Sequence, residues 1–107
     1  MSSNDYDYPM YTIKQTPAFA AWLSGLKDRL TRTRLARRLE KAQLGNLGDV
    51  RPVGAGVFEM RECFGPGWRM YYIQRGQSLI LMLGGGDKST QQTDIAKAIA
   101  LADTLED

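Results

Sequence analysis

The stretch from Val53 to Asp94 constrains the fold of this 107-residue chain more than any other part of the sequence. It contains three apolar segments separated by glycine-bearing turns, at Val57–Cys63, Trp68–Ile73 and Leu79–Leu83. Aliphatic and aromatic residues bounded by such turns are typical of short strands. Because short connections join antiparallel neighbours, this stretch predicts a small sheet built as a meander.

Side-chain alternation gives the predicted strands two different faces, since successive residues of a strand point to opposite sides. The apolar side comprises Phe58, Met60, Trp68, Met70 and Tyr72. The polar side comprises Glu59, Arg61, Arg69 and Tyr71. We therefore predict one face that packs on a core and one arginine-bearing face that is suited to binding phosphate.

The rest of the chain predicts a strand before the sheet and helices on either side of it. These elements are a strand at Tyr11–Gln15, a helix entered at Thr16-Pro17, a helix at Arg29–Leu44, a strand at Asp49–Val53 and a helix at Thr90–Leu105. The resulting order, β-α-α-β-β-β-β-α, favours an α+β fold with a mainly antiparallel sheet packed against the two N-terminal helices. Residues 1–9 are predicted to be a flexible leader, and residues 10–107 a single domain.

Positive charge is concentrated in the middle of the chain, although the net charge is only +2. Between Arg29 and Lys41 six basic residues accompany the single acid Glu40. Such a helix has either a solvated basic face or a surface for a polyanion, and the distribution of charge matters more than its total.

Several classes of function are excluded by residues that are rare or absent. Cys63 is the only cysteine, which rules out a disulfide within the chain, and there is no histidine to serve as a metal ligand or general base. No apolar run approaches the ~20 residues of a membrane span, and the N-terminus lacks a signal-peptide core. We therefore expect a cytoplasmic protein. Gly84-Gly85-Gly86 lacks the spacing of a phosphate-binding P-loop.

Three pieces of sequence carry a resemblance to a known family: Gly54–Arg61 (GAGVFEMR), Gly65–Tyr72 (GPGWRMYY) and Gly85–Ser89 (GGDKS). In this order they resemble the HigB-like "addiction module killer protein" branch of the RelE/ParE toxin superfamily, and the resemblance extends from about Met10 to Leu105. It implies a RelE/ParE-like fold and a cognate antitoxin, a helix-turn-helix protein encoded by a neighbouring gene. Many members of the superfamily cleave mRNA on the ribosome, whereas the ParE branch inhibits DNA gyrase.

The resemblance also implies roles for individual residues. Arg69 corresponds to a strand arginine that contacts the scissile phosphate, Lys88 to a basic residue that protonates the leaving group, and Arg61 adds a third charge on the same predicted face. The remaining residues expected to bind RNA are Arg32, Arg34, Arg37, Arg38, Arg51 and Tyr71. The sequence departs from the best-known nucleases of the superfamily in lacking their lysine-rich segment and their C-terminal catalytic tyrosine.

The hypothesis from the sequence is therefore a toxin that acts as a ribosome-dependent mRNA endonuclease, without a metal or an organic cofactor. One alternative is a gyrase inhibitor with the same fold. A second alternative is a non-catalytic module whose only partner is the antitoxin.

Overall fold

The structure, a computed structural model, describes residues 10–105. Its elements are β1 Thr12–Gln15, α1 Pro17–Ser24, α2 Arg29–Gln43, β2 Val50–Gly54, β3 Val57–Arg61, β4 Arg69–Arg75, β5 Leu79–Gly86 and α3 Gln91–Thr104. The fold is α+β, as predicted, with a short 3-10 turn at Lys88–Thr90 inserted before α3. The predicted leader lies outside the described residues. No helix between residues 10 and 105 is long and apolar enough to cross a membrane.

The sheet has five strands in the order β1-β5-β4-β3-β2. β1 runs parallel to β5, because the two helices between β1 and β2 provide the long connection that parallel pairing requires, and the other pairs are antiparallel. In the register of the central strands, Arg69 lies opposite both Arg61 and Gly86. The end of β3, the start of β4 and the end of β5 therefore meet at one end of the sheet.

The first face of the sheet packs against α1 and α2, as the alternation pattern predicted. Phe19 from α1 and Leu35 from α2 are fully buried against Met60, Met70 and other strand residues of this face. The entry to α1 also follows the prediction. The Thr16 hydroxyl accepts a hydrogen bond of 3.2 Å from the backbone N–H of Phe19, and Pro17 occupies the first turn of the helix.

The second face of the sheet differs from the sequence prediction, because α3 covers most of it. Tyr71 and Leu83 are buried there against Ala98, and the flanking Ile95 and Ile99 of α3 pack around them. An amphipathic helix must bury its apolar stripe, and the first face is already occupied by α1 and α2. Arg61 and Arg69 of this face therefore lie at the end of the sheet beyond the N-terminus of α3, where the helix does not cover them.

Close packing at β5 explains the glycines at its end. A methyl group placed on Gly85 would lie 2.5 Å from the ring of Trp22 on α1. On Gly86 it would lie 1.9 Å from the Asp94 carboxylate on α3. A methyl group on Gly84 would have no neighbour within 4 Å. The glycine run thus allows helices to approach β5 closely on both faces.

We predict that Gly85→Ala destabilises the protein by about 1–3 kcal/mol, because the added methyl group forces the buried edge of Trp22 out of place. Gly84→Ala, the matched control on the same strand, should change the free energy of unfolding by less than about 0.5 kcal/mol. Urea denaturation followed by circular dichroism measures both. Equal stability of the two variants would contradict this account of the glycine run.

Candidate functional site

A cleft of about 420 Å³ lies at the end of the sheet where β3, β4 and β5 meet. Its lining includes the three residues assigned to catalysis from the sequence, Arg61, Arg69 and Lys88. The other lining residues are Asp49, Glu62, Cys63, Gly65, Pro66 and Gly67. Three cations from separate parts of the chain therefore surround one open space.

The turn between β3 and β4 brings Arg69 and Lys88 close together. Gly67 has a φ of +82°, a conformation that favours glycine. A methyl group on Gly67 would lie 3.6 Å from Arg69 Nη1 and 3.4 Å from Lys88 Cβ. The backbone N–H of Lys88 also donates to the carbonyl of Pro66 at 3.4 Å. The turn thus packs between the two side chains and holds the Lys88 loop at the cleft.

Asp87 begins the 3-10 turn that contains Lys88. Its carboxylate accepts hydrogen bonds from the hydroxyl and the backbone N–H of Ser89, and these bonds lower the pKa of Asp87. Asp87 is therefore a turn residue whose carboxylate is occupied by Ser89. Its bonds fix the backbone that carries Lys88.

Arg61 and Arg69 are held in different ways. Arg61 Nε pairs with the Asp49 carboxylate at 3.1 Å, and a third of its side chain is exposed. Arg69 is only 12% exposed, and its Nη1 donates to the carbonyls of Glu62 and Trp68. Arg61 is the more exposed charge of the two, whereas Arg69 is held by the carbonyls of the turn.

A buried carboxylate lies behind Arg69. Glu59 is 1% exposed, and one of its oxygens is 3.8 Å from Arg69 Nε. The side-chain amide of Gln91, the first residue of α3, donates to both carboxylate oxygens, at 3.3 and 3.0 Å. The alternation of the strand predicted that Glu59 lies with Arg61 on the polar face of the sheet. The structure instead places Glu59 beneath α3, where its charge is directed at Arg69.

Tyr71, expected from the sequence to stack on RNA, is fully buried under α3. Its hydroxyl is buried without a hydrogen-bond partner among the described residues. Burial raises the pKa of the Tyr71 phenol, and the negative charges of Glu59 and Asp94 raise it further. Because the ring contributes to the apolar packing of the second face, no part of it is available to a base.

Arg38 likewise differs from its predicted role as an RNA-docking residue on an exposed helix. Its side chain is 10% exposed and crosses from α2 to the end of the sheet. There the guanidinium donates to the carbonyls of Leu47, Asp49 and Arg61 and forms an ion pair with Glu62. Arg38 therefore fixes the backbone on which Arg61 and Glu62 stand.

The other predicted RNA-binding residues fall into two groups. Arg34 and Arg37 are exposed and, with Lys41, Arg38 and Glu62, line a second hollow of about 230 Å³. Glu62 also lines the main cleft, so the two spaces adjoin. Arg32 instead donates to the carbonyl of Leu26. Arg51 is exposed on the edge strand β2 and does not line the cleft.

Sequence reasoning gave Arg38 the wrong role at this site and missed Glu62. Arg38 lies beside the buried stripe of Leu35, Leu39 and Ala42, a position from which helical spacing directs a side chain toward the sheet. Glu62 carries no comparable signal, since the turn alone brings it to the cleft. Among residues 10–105, no group of three carboxylates and cysteines is arranged to hold a metal ion.

Comparison with known proteins places the chain in a family. Residues 21–106 match the model of the family described as "Phage derived protein Gp49-like". The chain belongs to this Gp49-like family. It is 42% identical over 93 residues to an uncharacterised protein of Haemophilus influenzae, an alignment that covers 87% of this chain and 94% of that protein.

The fold of this Gp49-like protein resembles that of a RelE toxin. A solved chain of the toxin-antitoxin complex RelBE2 from Mycobacterium tuberculosis superposes with a TM-score of 0.58. The match covers 74% of this chain and 99% of that chain at 19% sequence identity. At this identity the likeness concerns the fold.

We predict that Arg38→Met lowers the free energy of unfolding by about 2–3 kcal/mol, because it leaves partly buried carbonyls and the Glu62 carboxylate without their donor. Arg37→Met removes an exposed charge from the same helix and should cost less than about 0.5 kcal/mol. Urea denaturation of both variants tests the difference. Equal losses would mean that Arg38 does not hold the sheet end together.

We also predict that Tyr71→Phe leaves stability at neutral pH unchanged or raises it slightly, because the lost hydroxyl is buried without a partner. Since the pKa of Tyr71 is raised in the folded state, its neutral form contributes stability that is complete below pH ~10 and is lost above it. Above pH ~10, the Tyr71→Phe variant should therefore lose less stability with rising pH than the wild type. Urea midpoints across this range measure the difference, and a marked loss at neutral pH would reveal a hydrogen bond to the hydroxyl.

Proposed function

We propose that this protein is the toxin of a type II toxin-antitoxin system and cleaves mRNA on the ribosome, as in the HigB-like branch of the RelE/ParE superfamily. The observation that carries the proposal is the convergence of Arg61, Arg69 and Lys88 on one cleft. Membership of the Gp49-like family and the likeness to a RelE fold support it. A helix-turn-helix antitoxin encoded nearby would neutralise the protein in the cytoplasm.

The residues of the cleft suit cleavage by attack of the RNA 2′-hydroxyl. The 2′-hydroxyl gives its proton to a carboxylate of the cleft as its oxygen bonds to phosphorus. The bond from phosphorus to the 5′-oxygen breaks, and a cyclic phosphate and a 5′-hydroxyl result. Arg69, with Arg61 beside it, stabilises the negative charge that develops on the phosphate oxygens. The Lys88 ammonium gives a proton to the departing 5′-oxygen. This chemistry needs no metal ion or organic cofactor.

The weak part of this arrangement is the group that accepts the proton of the 2′-hydroxyl. The carboxylates that line the cleft are Asp49 and Glu62, and each is paired with an arginine, Arg61 and Arg38 respectively. Each carboxylate is thus already engaged by a guanidinium, and the cleft itself does not hold either one against a substrate 2′-hydroxyl. We therefore expect slow cleavage of free RNA and rapid cleavage only when the ribosome positions the message. The exposed Arg37 and Lys41 would hold the protein on rRNA through contacts with phosphates.

The decisive experiment is induced expression in bacteria, followed by primer extension on translated messages. Growth should stop, and new 5′ ends should appear within codons of translated regions but not in untranslated RNA. The Arg69→Ala, Lys88→Ala double variant should cleave at least ~10²-fold more slowly, because one charge-stabilising donor is typically worth ~10²–10³ in rate.

Lys14→Ala provides a matched control, since Lys14 is exposed on β1 and does not line the cleft. It should cleave like the wild type. Undiminished cleavage by a correctly folded double variant would show that the cleft is not the catalytic site. Loss of plasmid supercoiling with intact messages would instead identify a gyrase inhibitor, and normal growth at confirmed expression would contradict any toxin.

A further inference from the structure

Arg34 and Phe64 form a flat, partly exposed pair between the two hollows. The central carbon of the Arg34 guanidinium lies 3.7 Å from the centre of the Phe64 ring, within the range of a cation–π contact. Phe64 also packs against the core cluster of the first sheet face. Its ring therefore has the protein core behind it and the Arg34 guanidinium in front.

Arg34 differs from its neighbours on α2 in how its donors are used. Arg38 donates to three carbonyls and to Glu62, and Arg32 donates to the carbonyl of Leu26. Arg34, in contrast, makes no hydrogen bond or ion pair with residues 10–105, although its guanidinium is positioned by Phe64. A planar cation that is held in place but not engaged is available to a ligand.

The pair lies directly beside the phosphate-binding cleft. Phe64 is flanked by Cys63 and Gly65, both of which line the cleft. Arg34 lines the adjoining hollow, and Glu62 borders both spaces. The turn itself is closed by a 3.2 Å hydrogen bond from the Gly67 N–H to the Phe64 carbonyl, which fixes the ring relative to the cleft.

The geometry points to a nucleobase-stacking site on the outer face of Arg34, for the base next to the phosphate held by Arg61, Arg69 and Lys88. Bases of single-stranded RNA stack on guanidinium planes as well as on aromatic rings. A carboxylate of a protein partner would need only the edge of the guanidinium, whereas the support of Phe64 specifically orients its plane. This site rests on the proposed function, because it assigns the single-stranded RNA substrate to the same cleft.

The test uses the intact chain and a short single-stranded RNA in which every ribose is 2′-O-methylated, so that the 2′-hydroxyl attack is impossible. One base is replaced by fluorescent 2-aminopurine, and a matched oligonucleotide lacks that base altogether. The replacement is moved along the strand, and dissociation constants are measured at low salt. For the wild type, one position should show quenched fluorescence and about five- to tenfold weaker binding when the base is absent.

Two variants remove the stacking surface formed by Arg34 and Phe64, and each retains the charge or the apolar character of the side chain that it replaces. Arg34→Lys keeps the charge but loses the plane, and Phe64→Leu keeps an apolar side chain but loses the ring. Both should bind the intact and the abasic oligonucleotide with nearly equal affinity. Arg29→Lys is the matched control, because Arg29 is exposed at the start of the same helix and lines neither hollow, and it should keep the wild-type preference.

Several outcomes would overturn the site. These are no binding of the oligonucleotide by the wild type, equal binding of intact and abasic strands by the wild type, or a preserved preference in Arg34→Lys. Loss of neutralisation by the antitoxin in Arg34→Lys, with the base preference preserved, would assign the pair to a protein partner instead. Circular dichroism checks that the variants are folded, and Arg34→Lys suffices alone if Phe64→Leu does not fold.

The outcome of the test for the stacking site can be distinguished from the outcome of the test for nuclease activity. Cleavage of translated messages by a wild type that shows no base preference would remove the stacking site and leave the proposed nuclease intact. Base-dependent binding without any cleavage in cells would support the site and contradict the nuclease.

Discussion

The guanidinium of Arg38 holds together the end of the molecule at which the cleft lies. It joins α2 to the segment before β2, through the carbonyls of Leu47 and Asp49, and to the end of β3, through Arg61 and Glu62. Hydrogen bonds from a charged donor contribute about 1.5–3 kcal/mol each when their loss leaves a buried acceptor unpaired. The same contacts position Arg61 and Glu62, so the stability of this region and the geometry of the cleft depend on one side chain.

The covering of both sheet faces determines where a polyanion can bind. α1 and α2 occupy one face, and α3 occupies most of the other. The sheet remains open at the end where three strand ends place Arg61, Arg69 and the Lys88 loop together. Glu59 lies beneath this cluster, beside Arg69, and is tied to α3 by Gln91. The position of α3 and the orientation of Arg69 are therefore linked through one buried carboxylate.

The basic residues of α2 have separate tasks, although they are indistinguishable by composition. Arg38 and Arg32 bond to backbone carbonyls and stabilise the fold. Arg34, Arg37 and Lys41 remain at the surface around the second hollow. Some of the positively charged groups near the cleft are thus bonded to acceptors within the protein, and the others are available to a partner. A count of charges along the helix does not reveal this division, because it depends on which acceptors lie within reach.

The sequence by itself determined the α+β class, the main helices and strands and the apolar face of the sheet. Turn residues and strand alternation are local properties, so Thr16, Phe58, Met60, Met70 and Tyr72 have the predicted positions. The placement of Arg61 and Arg69 at adjacent strand positions also follows from the alternation and the short turn.

Only the tertiary structure decided which charged and aromatic side chains are accessible. The apolar stripe of α3 packs on the second face of the sheet. It thereby buries Tyr71 and Glu59, which alternation alone had placed on an open face. The reach of Arg38 across the sheet end and the contact of Arg34 with Phe64 depend on how α2 lies against the strands. Such packing joins residues that are far apart in the sequence. It depends on which helix covers which face of the sheet, and short sequence patterns do not encode this.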